Sequence, residues 1–240
     1  MKRIKLVLFA LFLIGINPRT WSQRSTYIGA EAFVTNDIYT IKDNSNYLKT
    51  VPLLGGGFGI GVRQGLGRNS FVETGFNRKS YWRGVGFKGA FTYGNSSAFI
   101  AWIVPVRFGY RIKLVRNLYV VPVMGFSLGI NRAPSYLGRG GGTSRTTQGI
   151  IEYQYTEASG SSKIFTLINP MVNLELDLWR TIQLGIYAGR SFGLNQTDQL
   201  DITYTVNGSQ PIKGSATSKG QYWCYGFSFK YKLSKLWKKE

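Results

Sequence analysis

The chain of 240 residues contains no histidine and a single cysteine, Cys224. Histidine supplies the general base in many hydrolytic enzymes, and that group is missing here. A serine and lysine mechanism or a carboxylate mechanism stays open on composition alone, but no constellation of such residues is recognisable. One cysteine can form neither a disulfide within the chain nor a cysteine metal site. The sequence therefore predicts no enzymatic activity, no metal and no cofactor.

Acidic residues are scarce, with 11 Asp and Glu against 30 Lys and Arg, so the formal net charge is +19. A strongly basic chain can bind nucleic acid. Here the basic residues are scattered and an export signal precedes them. This arrangement favours anionic lipid head groups or surface glycans as partners and argues against nucleic acid.

Long hydrophobic runs are confined to the N-terminus, since no later stretch is apolar over the roughly 18 residues of a transmembrane helix. Three basic residues precede an apolar core at 6–16, and the small residues Thr20 and Ser22 follow it. This order is typical of a secretory signal peptide. We expect residues 1–22 to be the signal and residues 23–240 to form the mature domain. A retained membrane helix is the alternative, and the short apolar core disfavours it.

Alternation of apolar and small or charged residues is the main positive signal. From Ala98 to Ile112 every second residue is apolar, and a second run from Leu118 to Ile130 repeats the pattern. A period of two indicates a strand with two unlike faces. The apolar face is longer than the roughly 9 to 11 residues that a tilted strand needs to cross a bilayer. The pair therefore predicts a membrane hairpin.

Similar alternation predicts eight strands in all, with alternately short and long connections. The strands are expected at 26–34, 51–64, 71–81, 98–112, 118–130, 163–178, 182–194 and 223–233, and the long connections at 35–50, 82–97, 132–162 and 195–220. In lipid such strands must close into a barrel to satisfy their backbone groups. An even strand number with short periplasmic turns is typical of outer-membrane barrels. The predicted fold is an all-β, eight-stranded, antiparallel, up-and-down transmembrane β-barrel, monomeric, in the outer membrane with both termini in the periplasm.

The distribution of side chains between the two faces separates this fold from its alternative, a soluble lipocalin-like barrel. A soluble barrel points its bulky residues inward, whereas here small and charged residues share one face with glycines, which suits a cramped lumen. The odd-numbered glycines from Gly55 to Gly61 lie in this face, and the row lacks the strand-then-helix context of a phosphate-binding loop. Pro105, Pro122 and Pro170 are expected to mark bulges or edge irregularities.

Two local signals lie in the long connections. Asn207-Gly208 predicts a two-residue hairpin turn. Residues 150–155, with the sequence IIEYQY, are expected to extend the strands beyond the membrane.

Seven ionisable residues are predicted to share the lumen near the short turns. They are Arg63, Glu73, Arg107, Arg111, Glu175, Asp177 and Lys230. One interpretation is a satisfied ion network that fills the interior, in which Arg107 and Arg111 pair with Glu73, because a buried charge needs a partner. The other is a gate or substrate filter. We favour the plug, because an eight-stranded barrel is only just wide enough for its own side chains.

Aromatic and basic residues in the long connections are the candidate ligand contacts. They are Trp82, Arg83, Tyr136, Arg139 and Arg145. This mixture suits acidic glycans, lipopolysaccharide or a partner protein. For Trp82 an alternative is the aromatic belt at the membrane interface. The third connection is too long to be only a connector, and we expect it to have a binding or assembly role.

The residues 103–110 (IVPVRFGY) and 119–125 (YVVPVMG), within this strand pattern, resemble a known group of proteins. The chain is similar to the small outer-membrane β-barrel proteins of Bacteroidota, the porin family with its PorT-like members, and to the OmpA transmembrane domain. It departs from full-length OmpA in lacking a C-terminal peptidoglycan-binding domain, so a wall-anchoring role is not expected. The resemblance implies no catalytic residues.

The expected function is a structural, binding or secretion and assembly accessory role carried by the long extracellular loops. The expected partners are outer-membrane lipid, lipopolysaccharide and an envelope protein. The alternative function is a narrow porin or transporter for small solutes or hydrophobic molecules.

Overall fold

The computed structural model describes residues 25–90, 99–132, 139–157, 163–179 and 181–233. The predicted signal peptide, and the boundary between it and the mature domain, lie outside these ranges. No helix in the described part of the chain has the length and apolar character needed to cross a membrane.

The described elements are strands, numbered here in chain order. They are β1 (Thr26–Asp37), β2 (Thr40–Lys42), β3 (Leu48–Thr50), β4 (Leu54–Gly65), β5 (Ser70–Tyr81), β6 (Val85–Phe87), β7 (Phe99–Tyr110), β8 (Ile112–Val115), β9 (Leu118–Arg132), β10 (Arg139–Thr146), β11 (Gly149–Glu157), β12 (Ile164–Leu178), β13 (Ile182–Gly193), β14 (Asp198–Val206), β15 (Ile212–Ser218) and β16 (Tyr222–Lys232).

Eight long strands close into an antiparallel barrel. Their order is β12, β13, β16, β1, β4, β5, β7 and β9, and β9 pairs back with β12. The prediction of an eight-stranded antiparallel barrel is confirmed, with each strand near its expected place. The first strand continues three residues beyond the predicted end at Val34, to Asp37, and the second begins at Leu54 rather than at Val51. The short β8 adds to β9 at the short-turn end.

The two faces of the wall are as the alternation predicts. Outward side chains are large and apolar, with Ile60 66% exposed and Phe126 50% exposed, whereas the inward Arg63 is 3% exposed and Glu175 1% exposed. The single Cys224 is also buried on the inner face. Bulky residues outside and charges inside are the reverse of a soluble barrel, so the lipocalin-like alternative does not describe this wall.

Aromatic rings fill much of the lumen, and four of them lie beside a glycine. The sequence predicts an inner face of small and charged residues, and the rings fit there because the residue directly across the ladder has no side chain. The pairs are Phe33 with Gly57, Phe71 with Gly109, Phe165 with Gly129 and Tyr187 with Gly226. A Cβ on any of these glycines would lie 2.2–2.6 Å from a ring atom. Cross-strand pairing of an aromatic ring with glycine stabilises sheets in this way.

Pro105 and Pro170 cause no shift of register in the ladders that pass them. The β5 and β7 ladder keeps one register on either side of Pro105, with Thr74 opposite Val106 and Asn77 opposite Ile103. The β12 and β13 ladder likewise passes Pro170 without a shift. At Pro105 and Pro170 the structure therefore has an interrupted ladder and no bulge, because the chain loses ladder pairs at the proline without gaining a residue.

The long connections build a second β structure, here called the cap, formed by the described residues of 38–53, 82–90, 139–157 and 194–221. Its main sheet has the order β10, β11, β14, β15 and β2, and β3 pairs with β6. The cap has its own hydrophobic core. The buried members are Tyr39, Leu48, Phe87, Ile151, Leu200, Ile202, Tyr204 and Ala216.

Both local predictions for the connections agree with the cap. Residues 150–155 lie in β11. At the predicted turn Asn207 has φ 50° and Gly208 has φ 72°, and the N–H of Ser209 donates to the carbonyl of Val206 over 3.0 Å. Positive φ at both central residues is the type I′ geometry that Asn-Gly favours.

Candidate functional site

The structure brings the seven charged residues predicted for the lumen into one set of ion pairs. Arg63 is at its centre, because its two terminal nitrogens donate to the two oxygens of Glu175 over 2.9 and 2.7 Å. Its Nε donates to Glu73 over 2.9 Å. The guanidinium also lies 3.7 Å from the centre of the Phe71 ring. A bidentate pair of this kind fixes both side chains.

An eighth charge, Glu31, joins the set. Arg107 contacts Glu31 over 2.8 Å and Glu73 over 3.0 Å, and Asn77 donates to Glu31 over 2.7 Å. The sequence pattern places Glu31 on the inner face, but its strand is the weakest of the eight and its position is far from a short turn. The register of the neighbouring strands is what would have placed Glu31 in the network. It lies directly across the two ladders from Ser228 and Gly59.

The partner of Arg111 differs from the expectation. Arg111 pairs with Asp177 over 2.6 Å and with Glu175 over 3.4 Å, and it stacks 3.8 Å from the Tyr119 ring. The expected pairing of Arg111 with Glu73 is therefore wrong. Alternation alone could not choose between these carboxylates, because the choice depends on how far each strand is shifted around the barrel.

Opposite charges balance within this set, here called the lumen network. The cations are Arg63, Arg107, Arg111 and Lys230, and the anions are Glu31, Glu73, Glu175 and Asp177. Four against four leaves no net charge, although the whole chain carries +19. The excess positive charge of the protein is therefore outside this network.

Little space remains around the lumen network. A cavity lined by Gly29, Gly61, Gly75 and Pro105 beside Arg107 has a volume of about 20 Å³. A cavity of this size holds about one water molecule. The lumen is closed by side chains at this level.

A second group of buried charges lies where the barrel meets the cap. Lys79 donates to Asp37 over 2.6 Å, and its Nζ lies 3.5 Å from the centre of the Tyr81 ring. Arg83 makes a bidentate contact with Asp198 over 2.6 and 2.8 Å. The hydroxyl of Tyr39 lies 3.0 Å from the same carboxylate. These contacts link the cap to the end of the barrel opposite the short turns.

The predicted loop contacts separate into different environments. Arg83 is 6% exposed and pairs with Asp198, a partner 115 residues away that a single sequence does not reveal. Its expected contact with a ligand stays a prediction. Trp82 is 39% exposed, and its backbone N–H donates to Asp37 over 2.8 Å, so it lies at the barrel rim. Tyr136 lies outside the described residues.

Arg139 and Arg145 are exposed and lie near the two ends of β10. This strand is at an edge of the cap sheet, and within the described residues its ladder runs only to β11. Beyond the ladder, one isolated bridge joins its last residue, Thr146, to Ala90. The backbone from Arg139 to Arg145 therefore has one side without a strand partner in the described part of the chain.

A groove of about 740 Å³ runs beside β10. Gly140 and Gly142 are among its lining residues, and the rings of Tyr155 and Tyr153, directly across the ladder, pack against them. Tyr153 packs 5.3 Å from Phe87, between ring centres, which ties the groove to the cap core. The volume is within the range of ligand-binding clefts.

Asp43 organises the cap loop that leads to β3. The N–H groups of Tyr47 and Leu48 donate to its Oδ2 over 2.7 and 2.8 Å, and the hydroxyl of Tyr204 donates to its Oδ1 over 2.8 Å. Partial burial raises the pKa of the Asp43 carboxyl, but these hydrogen bonds outweigh that effect and leave the pKa below its ordinary value. The carboxylate therefore stays ionised and fastens the first connection to β14.

Comparison with known proteins identifies the fold. No family model and no curated protein sequence matches the chain. Among solved structures, the outer membrane protein OprG from Pseudomonas aeruginosa matches with a TM-score of 0.50 at 11% identity, over 86% of this chain and 96% of that chain. A major outer membrane protein from Thermus thermophilus matches with a TM-score of 0.45 at 9% identity, over 88% of this chain and 100% of that chain. Ail of Yersinia pestis matches with a TM-score of 0.34 at 9% identity, over 86% of this chain and 99% of that chain.

The likeness to OprG shows that the chain has the fold of an outer-membrane β-barrel protein. At this identity it carries no information on ligand or partner. The expected kinship with Bacteroidota barrels stays a prediction, as does the function of every residue described above.

Proposed function

We propose that the protein is an integral outer-membrane barrel with a plugged lumen and both termini in the periplasm, and that it acts through its cap without enzymatic chemistry. Three features support the membrane location. The barrel strands are 11 to 15 residues long, their outer faces are apolar, and the long connections are all at one end, as in outer-membrane barrels.

A plug rather than a filter is supported by the balance of the lumen network. A selective pore needs unpaired charge or polar groups along an open path, whereas each charge here has a partner within 3.7 Å. Rings above the network, including Phe33, Phe165 and Tyr187, fill the next part of the lumen. Opening a path through the lumen would require several buried ion pairs to separate at once.

We expect the purified protein to give no steady conductance in planar lipid bilayers. Barrel assembly is verified separately, because the folded and heat-denatured forms of such barrels migrate differently on a denaturing gel. A bilayer treated with detergent alone is the baseline. Large, steady, ion-selective currents from assembled protein would reject the plug and favour the alternative, a narrow porin or transporter.

The cap is the candidate binding element because its glycine-rich edge strand borders a groove. An edge strand with open N–H and C=O groups is a template for another strand, and proteins normally block it with proline, bulges, inward charges or charged side chains along the edge. From Arg139 to Arg145, β10 has charged residues only near its two ends and three glycines between them, which leave the backbone accessible. Addition of an extended segment to such an edge is a common mode of peptide recognition.

We therefore propose that an extended segment of an envelope protein pairs with β10. The side chains of its inward face would enter the groove beside β10, where Tyr153 and Tyr155 offer aromatic surface. Arg139 and Arg145, near the two ends of the strand, favour acidic residues at the two ends of the bound segment.

Replacing the whole third long connection (132–162) would be a poor test of binding at β10. It would also remove β11, which pairs with β14 and contributes the buried Ile151 to the cap core. A sharper experiment places a photo-crosslinking amino acid at the exposed Thr143 of β10 in intact cells. The double variant R139E/R145E should reduce the crosslinked product about tenfold, since each exposed charge pair contributes up to about 1 kcal/mol.

The matched control is K42E/K213E, which makes the same change in charge on exposed residues of β2 and β15. It should leave the product unchanged. If both double variants reduce the product equally, the attraction is only general electrostatics; if neither does, β10 is not the binding edge. Crosslinking to a glycan instead of a protein would also overturn the proposal.

A further inference from the structure

Among the residues whose side chains the structure describes, two arginines face outward from the apolar wall of the barrel. Arg78 lies in β5, with Phe58 and Trp102 as its neighbours across the two ladders. Arg190 lies in β13 beside Trp223 of β16. Each is three residues from the last residue of its strand at the cap end.

Neither arginine has a carboxylate partner in the described part of the chain. The nine carboxylates whose side chains the structure describes all lie in the lumen, at its junction with the cap, or in the cap. They are Glu31, Asp37, Asp43, Glu73, Glu152, Glu175, Asp177, Asp198 and Asp201. The outer wall thus has cations and no described anion.

The environment of Arg190 is organised around its guanidinium group. The group lies 4.8 Å from the centre of the Phe192 ring and 5.1 Å from that of Trp223. Its Nε is shielded from solvent and has no hydrogen-bond partner among the described residues. The rings hold the cation in place by their negative faces, but they offer its N–H groups no oxygen acceptor.

The position of both arginines decides what can satisfy these donors. A lipid-facing arginine is strongly unfavourable at the middle of a bilayer and nearly neutral at its interface. Near the cap end of the strands, a long side chain reaches the head-group layer of the outer leaflet. The chemical group there that accepts two parallel N–H donors is a phosphate.

We propose that Arg190, flanked by Phe192 and Trp223, binds the phosphate of an anionic lipid in the outer leaflet, and that Arg78 is a second such site on another side of the barrel. This inference rests on the proposed membrane location. It is independent of the role of β10, since neither arginine lines the groove.

The test is a titration of detergent-solubilised barrel with bis-phosphorylated lipid A, read by native mass spectrometry. Fully dephosphorylated lipid A and inorganic phosphate are the comparison ligands. Arg190→Gln should weaken binding of the phosphorylated lipid about tenfold, the usual value of one charge-assisted contact, and R78Q/R190Q should weaken it further. Arg190→Lys should recover only part, because lysine keeps the charge and loses the planar fork.

The matched control is Arg68→Gln, an exposed arginine in the turn after β4, at the opposite end of the barrel. It should bind like the unchanged protein. An equal loss in Arg68→Gln, or equal binding of dephosphorylated lipid A, would overturn the proposal. Tight binding of inorganic phosphate that Arg190→Gln abolishes would make this a free-phosphate site and would overturn it too.

Failure of this inference is distinguishable from failure of the membrane assignment. The folded and heat-denatured forms are compared on a gel after insertion into neutral phosphatidylcholine vesicles. Protein that inserts but does not distinguish the lipids contradicts only the phosphate sites. Protein that remains soluble and never inserts contradicts the membrane barrel itself.

Discussion

Replacing Arg63 with methionine is expected to lower the free energy of unfolding by about 3–5 kcal/mol, the usual cost of removing one partner of a buried ion pair. Arg63 is the bidentate partner of Glu175, which is 1% exposed. In its absence Glu175 keeps only the longer contacts to Arg111 at 3.4 Å and Lys230 at 3.7 Å. The measurement is equilibrium unfolding from lipid vesicles in guanidinium chloride, followed by tryptophan fluorescence.

Two further variants separate the unpaired charge from the lost packing. Arg63→Met combined with Glu175→Leu should recover most of the loss, because replacing both partners by apolar residues of similar size is often neutral. Arg68→Met, at an exposed turn, should change stability by less than about 0.5 kcal/mol. If the single Arg63 variant is as stable as the unchanged protein, the lumen network does not stabilise the barrel and the plug loses its energetic basis.

The barrel was predictable from the sequence because a single physical rule governs it. A wall with lipid on one side and a narrow lumen on the other forces a period of two, so the parity of Phe126 or Arg63 reveals its side. Parity also placed Glu175 and Lys230 inside. It could not choose the partner of Arg111, because the height of a residue depends on the stagger between strands.

The cap could not be predicted in the same way. Its strands are short, β2 and β3 having three residues each, and they are interrupted by glycine, serine and threonine, which read as loops. Their pairing is also long-range, as between Ala216 and Ile41, and no local signal specifies it. The burial of Arg83 follows from this assembly and from nothing in its immediate sequence.

Because the long connections form one cap, they cannot be treated as four independent loops. Four separate loops could each bind a ligand independently, whereas a sheet with a shared core moves as one unit. Ile151 and Tyr204 come from different connections and are both fully buried in that core. The proposed recognition at β10 would therefore be supported by rigid neighbours, which would lower the entropy lost on binding.

Replacing Gly129 with alanine is expected to destabilise the barrel by about 2–3 kcal/mol, the typical cost of overpacking. A Cβ there would lie 2.2 Å from Cζ of Phe165, and that ring is 1% exposed and packed against Tyr81, so it has nowhere to move. Unfolding from vesicles measures the loss. Gly67→Ala is the matched control, because a Cβ at that turn meets nothing within 4 Å; it should be nearly neutral.

Phe165→Leu in the Gly129→Ala background distinguishes a steric clash from a change in backbone freedom. A shorter side chain removes the ring atoms that the new methyl group meets, so part of the lost stability should return although leucine packs less surface. The backbone effect alone has the opposite sign, because φ at Gly129 is not positive and alanine there mainly restricts the unfolded chain. Failure of the second substitution to restore any stability would therefore show that the loss does not arise from the contact with the Phe165 ring, and that Gly129 does not make room for this side chain.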